Sequence, residues 1–157
     1  MKLLTVAIPC YNSSEYMDKS IRSAISGGDR VEVVVVDDGS SDNTLEIANK
    51  YQKKFPDIVK VVHQENGGHG EAVNTGIKNA TGLYFKVLDS DDCLGKNALQ
   101  KVLDLLEDMV SKDAGLDMLI SNFMYDKQGA KHKKIMKYKS AMPVGRMFGW
   151  DELHFGT

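Results

Sequence analysis

The stretch "FKVLDSDDCL", residues 85 to 94, places Asp89, Asp91 and Asp92 within four positions, directly after Val87 and Leu88. Like charges this close repel, and a desolvated carboxylate is costly without a compensating cation. Carboxylates at alternate spacing can present oxygens to a hard divalent ion. Mg2+ or Mn2+ would suit, keeping water and substrate phosphates as further ligands. The competing reading is a solvated acidic turn that caps the next helix, since Asp is common in turns. Position after an apolar strand, opposite a second acidic pair, favours the metal.

That second pair lies in "VDDGSSDNT", where Asp37 and Asp38 can accept hydrogen bonds from a ligand's base N–H or ribose hydroxyls. Gly39 permits the turn, and Ser41 or Asp42 is placed to cap the following helix. A third polar segment, "NGGHGEAVNTG", carries Gly67, Gly68, Gly70 and Gly76, and glycines there allow a backbone to approach phosphates. His69 within it is equally a phosphate contact or a loop histidine without a task. Gly68-x-Gly70-x-x-Val73 nearly matches the dinucleotide pattern, but it does not follow the first strand as that motif requires.

The elements that must position these groups alternate between two periods. Leu3 to Ile8 is an apolar, β-prone run that stops at Pro9. A helix follows with Met17, Ile21, Ala24 and Ile25 on one face and Ser13 or Ser14 as its cap. Val31 to Val36 is a second strand, and Thr44, Ala48, Tyr51 and Phe55 mark a second helix. Residues 58 to 63 form a third strand. A short helix with Ala72, Val73, Ile77 and Ala80 inward leads to a fourth strand over residues 83 to 88. The next helix, from about Asn97 to Val110, turns Leu99, Val102, Leu103, Leu106 and Val110 to one side. Such alternation predicts a mostly parallel sheet with helices on both faces. In open parallel sheets ligands bind at the carboxyl ends of the strands, and all four polar loops fall at such ends. From Leu116 the rhythm changes to two strands around a turn at Lys127 to Ala130, a C-terminal hairpin.

Composition excludes several classes. The chain has 157 residues, 42% hydrophobic and 27% charged, a profile that suits one domain over 1–157. A net charge of -2 gives no field for a nucleic-acid backbone. Cys10 and Cys93 fit no metal spacing and read as free thiols of a reducing compartment. No run approaches the ~18 apolar residues of a membrane span. The expected location is cytoplasmic. The basic hairpin (Lys127, Lys131, Lys133, Lys134, Lys137 and Lys139) is usually a solvated face. Its alternative role is peripheral contact with an anionic acceptor or the inner membrane surface, over residues 127–139.

Taken in order, "IPCYN", "VVVVDDGSSDNT", "ENGGHGEAVNTG" and "LDSDD" resemble glycosyltransferase family 2, over roughly residues 3 to 126. The resemblance implies a GT-A, Rossmann-like fold. It also implies an inverting, metal-dependent transferase that takes a nucleotide-diphospho-sugar, often a UDP-sugar, to a saccharide or lipid-linked acceptor. Position by position, it puts Pro9 and Tyr11 beside the nucleotide base and Asp38 on the base, with Asp37 in support. The Gly68–His69 loop closes the donor pocket. Asp91 meets the metal and diphosphate, Asp89 lies near the ribose, and Asp92 extends the cluster. Two departures stand out. Many members carry an arginine where this chain has Val73. The family's catalytic base is an acid later in sequence, and after Asp126 this chain offers only Asp151 and Glu152. The expectation is a donor-binding part, truncated on the acceptor side. Two rivals remain at this stage: a non-catalytic nucleotide-sugar-binding module, and a metal-dependent phosphotransferase using Asp89 as nucleophile.

Overall fold

Strand β1, Leu4–Cys10, is buried along its whole length, as a strand covered on both faces must be. The computed structural model describes residues 1–125 and 134–152, which group into two compact units, Met1–Lys112 and Asp113–Thr157. In the first unit, β1 is followed by α1 (Met17–Ile25), β2 (Val31–Asp38), α2 (Thr44–Lys54), β3 (Val59–Gln64), α3 (His69–Asn79), β4 (Tyr84–Val87) and α4 (Lys96–Ser111). The four strands form one sheet in the order β3-β2-β1-β4, and every pair is parallel. All four carboxyl ends therefore share one rim. The α/β alternation, the parallel sheet with its flanking helices and the separate hairpin agree with the sequence reading.

β1 runs on through Pro9 instead of stopping there. Ala7 accepts the Leu88 N–H at 2.9 Å, and Ala7 is the last β1 residue paired with β4. Pro9 faces that same side, past the end of β4, so its missing N–H interrupts no ladder bond.

The inner face of α3 is narrower than its pattern suggests. Ala72 and Gly76 are buried, whereas Ile77 is exposed. A Cβ on Gly76 would sit 2.7 Å from the Ala7 Cβ, so the helix lies directly on the sheet along a stripe of small residues. Ile77, one position round the helix, is turned out. Ala72 packs with Val34, Val36 and Val62. Val33 and Val35 alternate to the other face and are equally buried, and α1 packs on β1 and β2 through Met17, Ile21 and Ala24. On α4, Leu99, Leu103 and Leu106 are buried, while Val110 is exposed. Each such side chain contributes roughly 1.5–3 kcal/mol by leaving water.

The two edges of the sheet are finished differently. On β3 the Gln52 side chain of α2 accepts the outward Val61 N–H at 2.6 Å. On β4, Phe85 and the preceding Leu83 remain exposed.

In the second unit, β5 (Phe123–Tyr125) pairs antiparallel with β6 (Lys134–Met136), in register Phe123↔Met136. Phe123 packs edge-on against Tyr125, with centroids 5.2 Å apart. The predicted turn at Lys127 to Ala130, with Lys127, Lys131 and Lys133, lies outside the described residues. Among those described, no helix is long and apolar enough to cross a membrane.

Candidate functional site

The loop after β1 is the hub of the rim. Asn12, at φ 47°, turns the chain in the left-handed region, which asparagine tolerates better than most residues. Its amide donates to Ser40 Oγ at 3.0 Å and its Oδ1 accepts the Ser41 N–H at 2.9 Å. The Ser13 N–H donates to Thr44 Oγ1 at 2.7 Å, and the Ser14 N–H to Asp42 Oδ2 at 3.1 Å. The loop after β2 is thereby sewn to the loop after β1. Ser13 Oγ also lies 3.0 Å from Ser90 Oγ, and Ser20 Oγ donates to the Asp89 carbonyl at 3.3 Å, which brings in the loop after β4.

The serines are thus cross-links and not helix caps. The residues flanking the starts of α1 and α2, Tyr16 and Asn43, make no side-chain cap bond. Asp42 does accept the Thr44 N–H at 2.9 Å, so it serves the start of α2 from one position earlier. Partial burial would raise its pKa, but the hydrogen bonds from Thr44 and Ser14 outweigh this and hold it well below the usual carboxylate range.

Asp37 and Asp38 end β2 with 0% and 2% of their surface exposed. Across the ladder, Asp37 stands beside His63 and Asp38 beside Gln64, the last two residues of β3. His63 Nδ1 lies 2.7 Å from Asp37 Oδ2, and Gln64 Nε2 donates to Asp38 Oδ1 at 2.7 Å. Asp38 also accepts the Gly67 N–H on Oδ1 and the Gly68 N–H on Oδ2, both at 2.9 Å. Gly68 has φ 84°, a glycine conformation, and immediately precedes α3. Asp38 thus fixes the loop after β3. Cys10, opposite Asp37 on β1, has its thiol pKa pushed up to about 12 by burial, with the Asp37 charge adding to the effect.

The acids after β4 are treated in the opposite way. Asp89, Asp91 and Asp92 are all exposed, and the Asp92 N–H closes a tight turn on the Asp89 carbonyl at 3.0 Å. Facing them, the His69 imidazole Nε2 lies 3.9 Å from Asp89 Oδ1. His69, Val73 and Asn74 of α3 face Asp89 and Asp92 across an open cleft of about 610 Å³, which Lys86 and Leu88 also line. Pro9 is buried in β1, and Tyr11 is exposed just beyond it. The structure therefore gathers Asp37, Asp38, Gly68, His69, Asp89, Asp91 and Asp92 on one rim, with Pro9 and Tyr11 at the central strand.

Among the described residues, no three His, Cys, Asp or Glu side chains converge on one metal position. The donor set still suits a hard cation held by one or two carboxylates, with water and phosphate oxygens completing the shell. A closed protein cage it is not.

Asp151 and Glu152 belong to the second unit, in a short 3-10 turn, Trp150–Glu152. Arg146 holds Glu152 in an ion pair, and that bond lowers the Glu152 pKa. Asp151 is exposed.

His63, Gln64 and Ser90 were not singled out by sequence reasoning, and Ser13 was read only as a helix cap. A signal existed for the first two: "VVHQ" ends an apolar strand in two polar residues, as "VVDD" does on its neighbour.

An open parallel sheet with acidic loops at its carboxyl rim is shared with solved glycosyltransferases of the GT-A fold. S. aureus TarS, in a structure with UDP-GlcNAc, shares 35% sequence identity, with a TM-score of 0.60 over 70% of this chain and 32% of that one. The mannosyltransferase PcManGT from Pyrobaculum calidifontis, in complex with GDP-Man and Mn2+, shares 27% with a TM-score of 0.57 over 64% and 31%. An uncharacterized glycosyltransferase of Rickettsia felis is 34% identical over 149 residues, 92% of this chain and 23% of its own length. The family model "Glycosyl transferase family 2" matches residues 5–143, and the chain belongs to that family. It spans 23% of the length of the Rickettsia protein and 32% of the TarS 1-349 chain.

Proposed function

We propose that this chain binds the donor for a transferase that moves a sugar from a nucleotide-diphospho-sugar, a UDP-sugar, to an acceptor hydroxyl with inversion. The observation that carries the reading is the convergence of a buried, hydrogen-bonded acidic pair and an open acidic cluster on one rim. The nucleotide sugars held by TarS and PcManGT, with Mn2+ in the latter, support it.

In this reading Pro9 and Tyr11 flank the base, and Asp38 accepts a base N–H while Asp37 braces it. Gly68 and His69 border the diphosphate, and Asp89 lies near the ribose. Asp91, with Asp89 or Asp92, would hold Mn2+ or Mg2+, which when bound stabilises charge on the departing diphosphate. The acceptor hydroxyl attacks the face opposite that leaving group, so configuration inverts. A carboxylate takes its proton, an effect typically worth ~10²–10⁴-fold. Of the two acids that follow Asp126 in the sequence, Asp151 is the better candidate, because Arg146 already engages Glu152.

Titration calorimetry with UDP, in Mn2+ and then in EDTA, tests the reading. Binding that requires the ion is expected. Equal affinity in both would remove Asp91 from the metal role.

A further inference from the structure

We infer that Gln64 is a specificity-determining residue: it leaves Asp38 a single acceptor position and so selects a donor base with one imide N–H, uracil or thymine, over guanine. The inference rests on the donor-binding role proposed above for this rim.

A carboxylate offers about four acceptor positions, two on each oxygen. On Asp38 the adjacent amides of Gly67 and Gly68 take one position on each oxygen, both at 2.9 Å. Gln64 Nε2 takes the second position on Oδ1, at 2.7 Å. Oδ1 is then full, and Oδ2 keeps one position. With 2% of its surface exposed, Asp38 has no room to turn and offer another.

Guanine presents two neighbouring donors, N1–H and the exocyclic amine, which together match both oxygens of a carboxylate. Here one oxygen is already saturated, so one guanine donor would be buried without a partner. Leaving a buried donor unmade costs its full desolvation. The imide of uracil or thymine has a single N–H and needs only the Oδ2 position. Discrimination of this kind, set by a hydrogen-bonding group left unpaired, is far stronger than discrimination by size.

Gln64 cannot reverse its amide to relieve the restriction. Its Oε1 accepts the Thr75 hydroxyl of α3 at 2.5 Å, and a carboxylate opposite it tolerates only the NH2 end. The selectivity element therefore extends from β3 to α3.

The test is calorimetry of the chain with UDP, dTDP and GDP, each with Mn2+. The stronger of UDP and dTDP is expected to bind at least about tenfold more tightly than GDP, and the comparison of these two separates uracil from thymine. Gln64→Leu keeps the volume and removes the bond. It is expected to lower affinity for the preferred nucleotide and to shrink its advantage over GDP to less than about threefold. Thr75→Val should shift the ratio in the same direction by less, and covers the case in which Gln64→Leu does not fold. Equal binding of GDP by the unaltered chain would overturn the inference. So would a Gln64→Leu protein with normal melting that weakens all three nucleotides alike, because a merely structural glutamine does not alter a ratio. Failure of all three to bind the unaltered chain would instead overturn the donor-site reading beneath it.

Discussion

Two groups of aspartates stand on the same rim and are handled in opposite ways. Asp37 and Asp38 are buried, and each meets donors from β3 or the loop after it. Asp89, Asp91 and Asp92 are exposed, and among the described residues no lysine or arginine pairs with them. In the first group, folding itself supplies the compensation, so the carboxylates are part of the scaffold and present a restricted, directional acceptor. In the second, repulsion is left standing, and compensation has to come from outside. The difference separates recognition by hydrogen bonds from recognition by charge within one binding surface.

The comparison breaks most visibly at Asp38. Asp38→Ala removes the acceptor shared by the Gly67, Gly68 and Gln64 donors, and a loss of about 1–3 kcal/mol is expected, because the exposed loop amides can turn to water while the loop loses its anchor. Urea denaturation measures it, and a loss below about 1 kcal/mol would mean that the loop does not depend on this carboxylate.

Asp91→Asn should show the reverse pattern. UDP affinity in Mn2+ is expected to fall by at least about tenfold, while the melting temperature stays level or rises as repulsion is relieved. A clear drop in melting temperature would make Asp91 structural and restore the acidic-turn reading of "DSDD".

Asp42 sharpens the contrast, because it is exposed yet hydrogen-bonded by Ser14 and Thr44. Its folded pKa is depressed, so its contribution to stability is full above the unfolded value of about 3.9 and is lost as the pH falls through the folded value. The stability gap between the natural protein and Asp42→Asn should therefore be level from neutral pH to about 5 and close below it. A gap that does not change with pH would show that the charge on Asp42 is not what binds the loops.

The two cysteines report on the two regions with the smallest perturbation. Cys93 is exposed beside Asp92, and Cys10 is buried beside Asp37 with its thiol pKa raised to about 12. Iodoacetamide at mildly alkaline pH should label Cys93 and spare Cys10 in the folded chain, as read by mass spectrometry. Labelling of Cys10 at a comparable rate would show that the Asp37 side of the rim opens readily.

Much of this was legible in the residues. The period-two runs and the helical stripes between them were enough to lay out the sheet, because a strand buried on both faces has to be continuously apolar. The rim followed from chain direction alone. Less legible was whatever depends on distance between elements. Ile77 looked inward because its spacing is helical, but the Gly76 contact with Ala7 decides which stripe meets the sheet, and a periodicity cannot report how close a helix lies. Ser13 looked like a helix cap because serine often is one. Its bonds to Thr44 and Ser90 cross 31 and 77 residues of chain, and no local pattern encodes them. Asp38 was read as a base contact supported by Asp37, and its three donors escaped notice because they come from residues 64 to 68 and meet it only once β2 and β3 are paired.

The unequal edges of the sheet carry a consequence of a different kind. Gln52 seals the Val61 N–H on β3, and among the described residues no side chain bonds the β4 margin in the same way, where Leu83 and Phe85 stay exposed. A sheet finished in this way can be lengthened from one side only. Unpaired strand edges with apolar side chains are also where chains stick to one another during expression and refolding. For anyone producing or trimming this protein, the β4 margin is the place to introduce a lysine, and the β3 margin can be left alone.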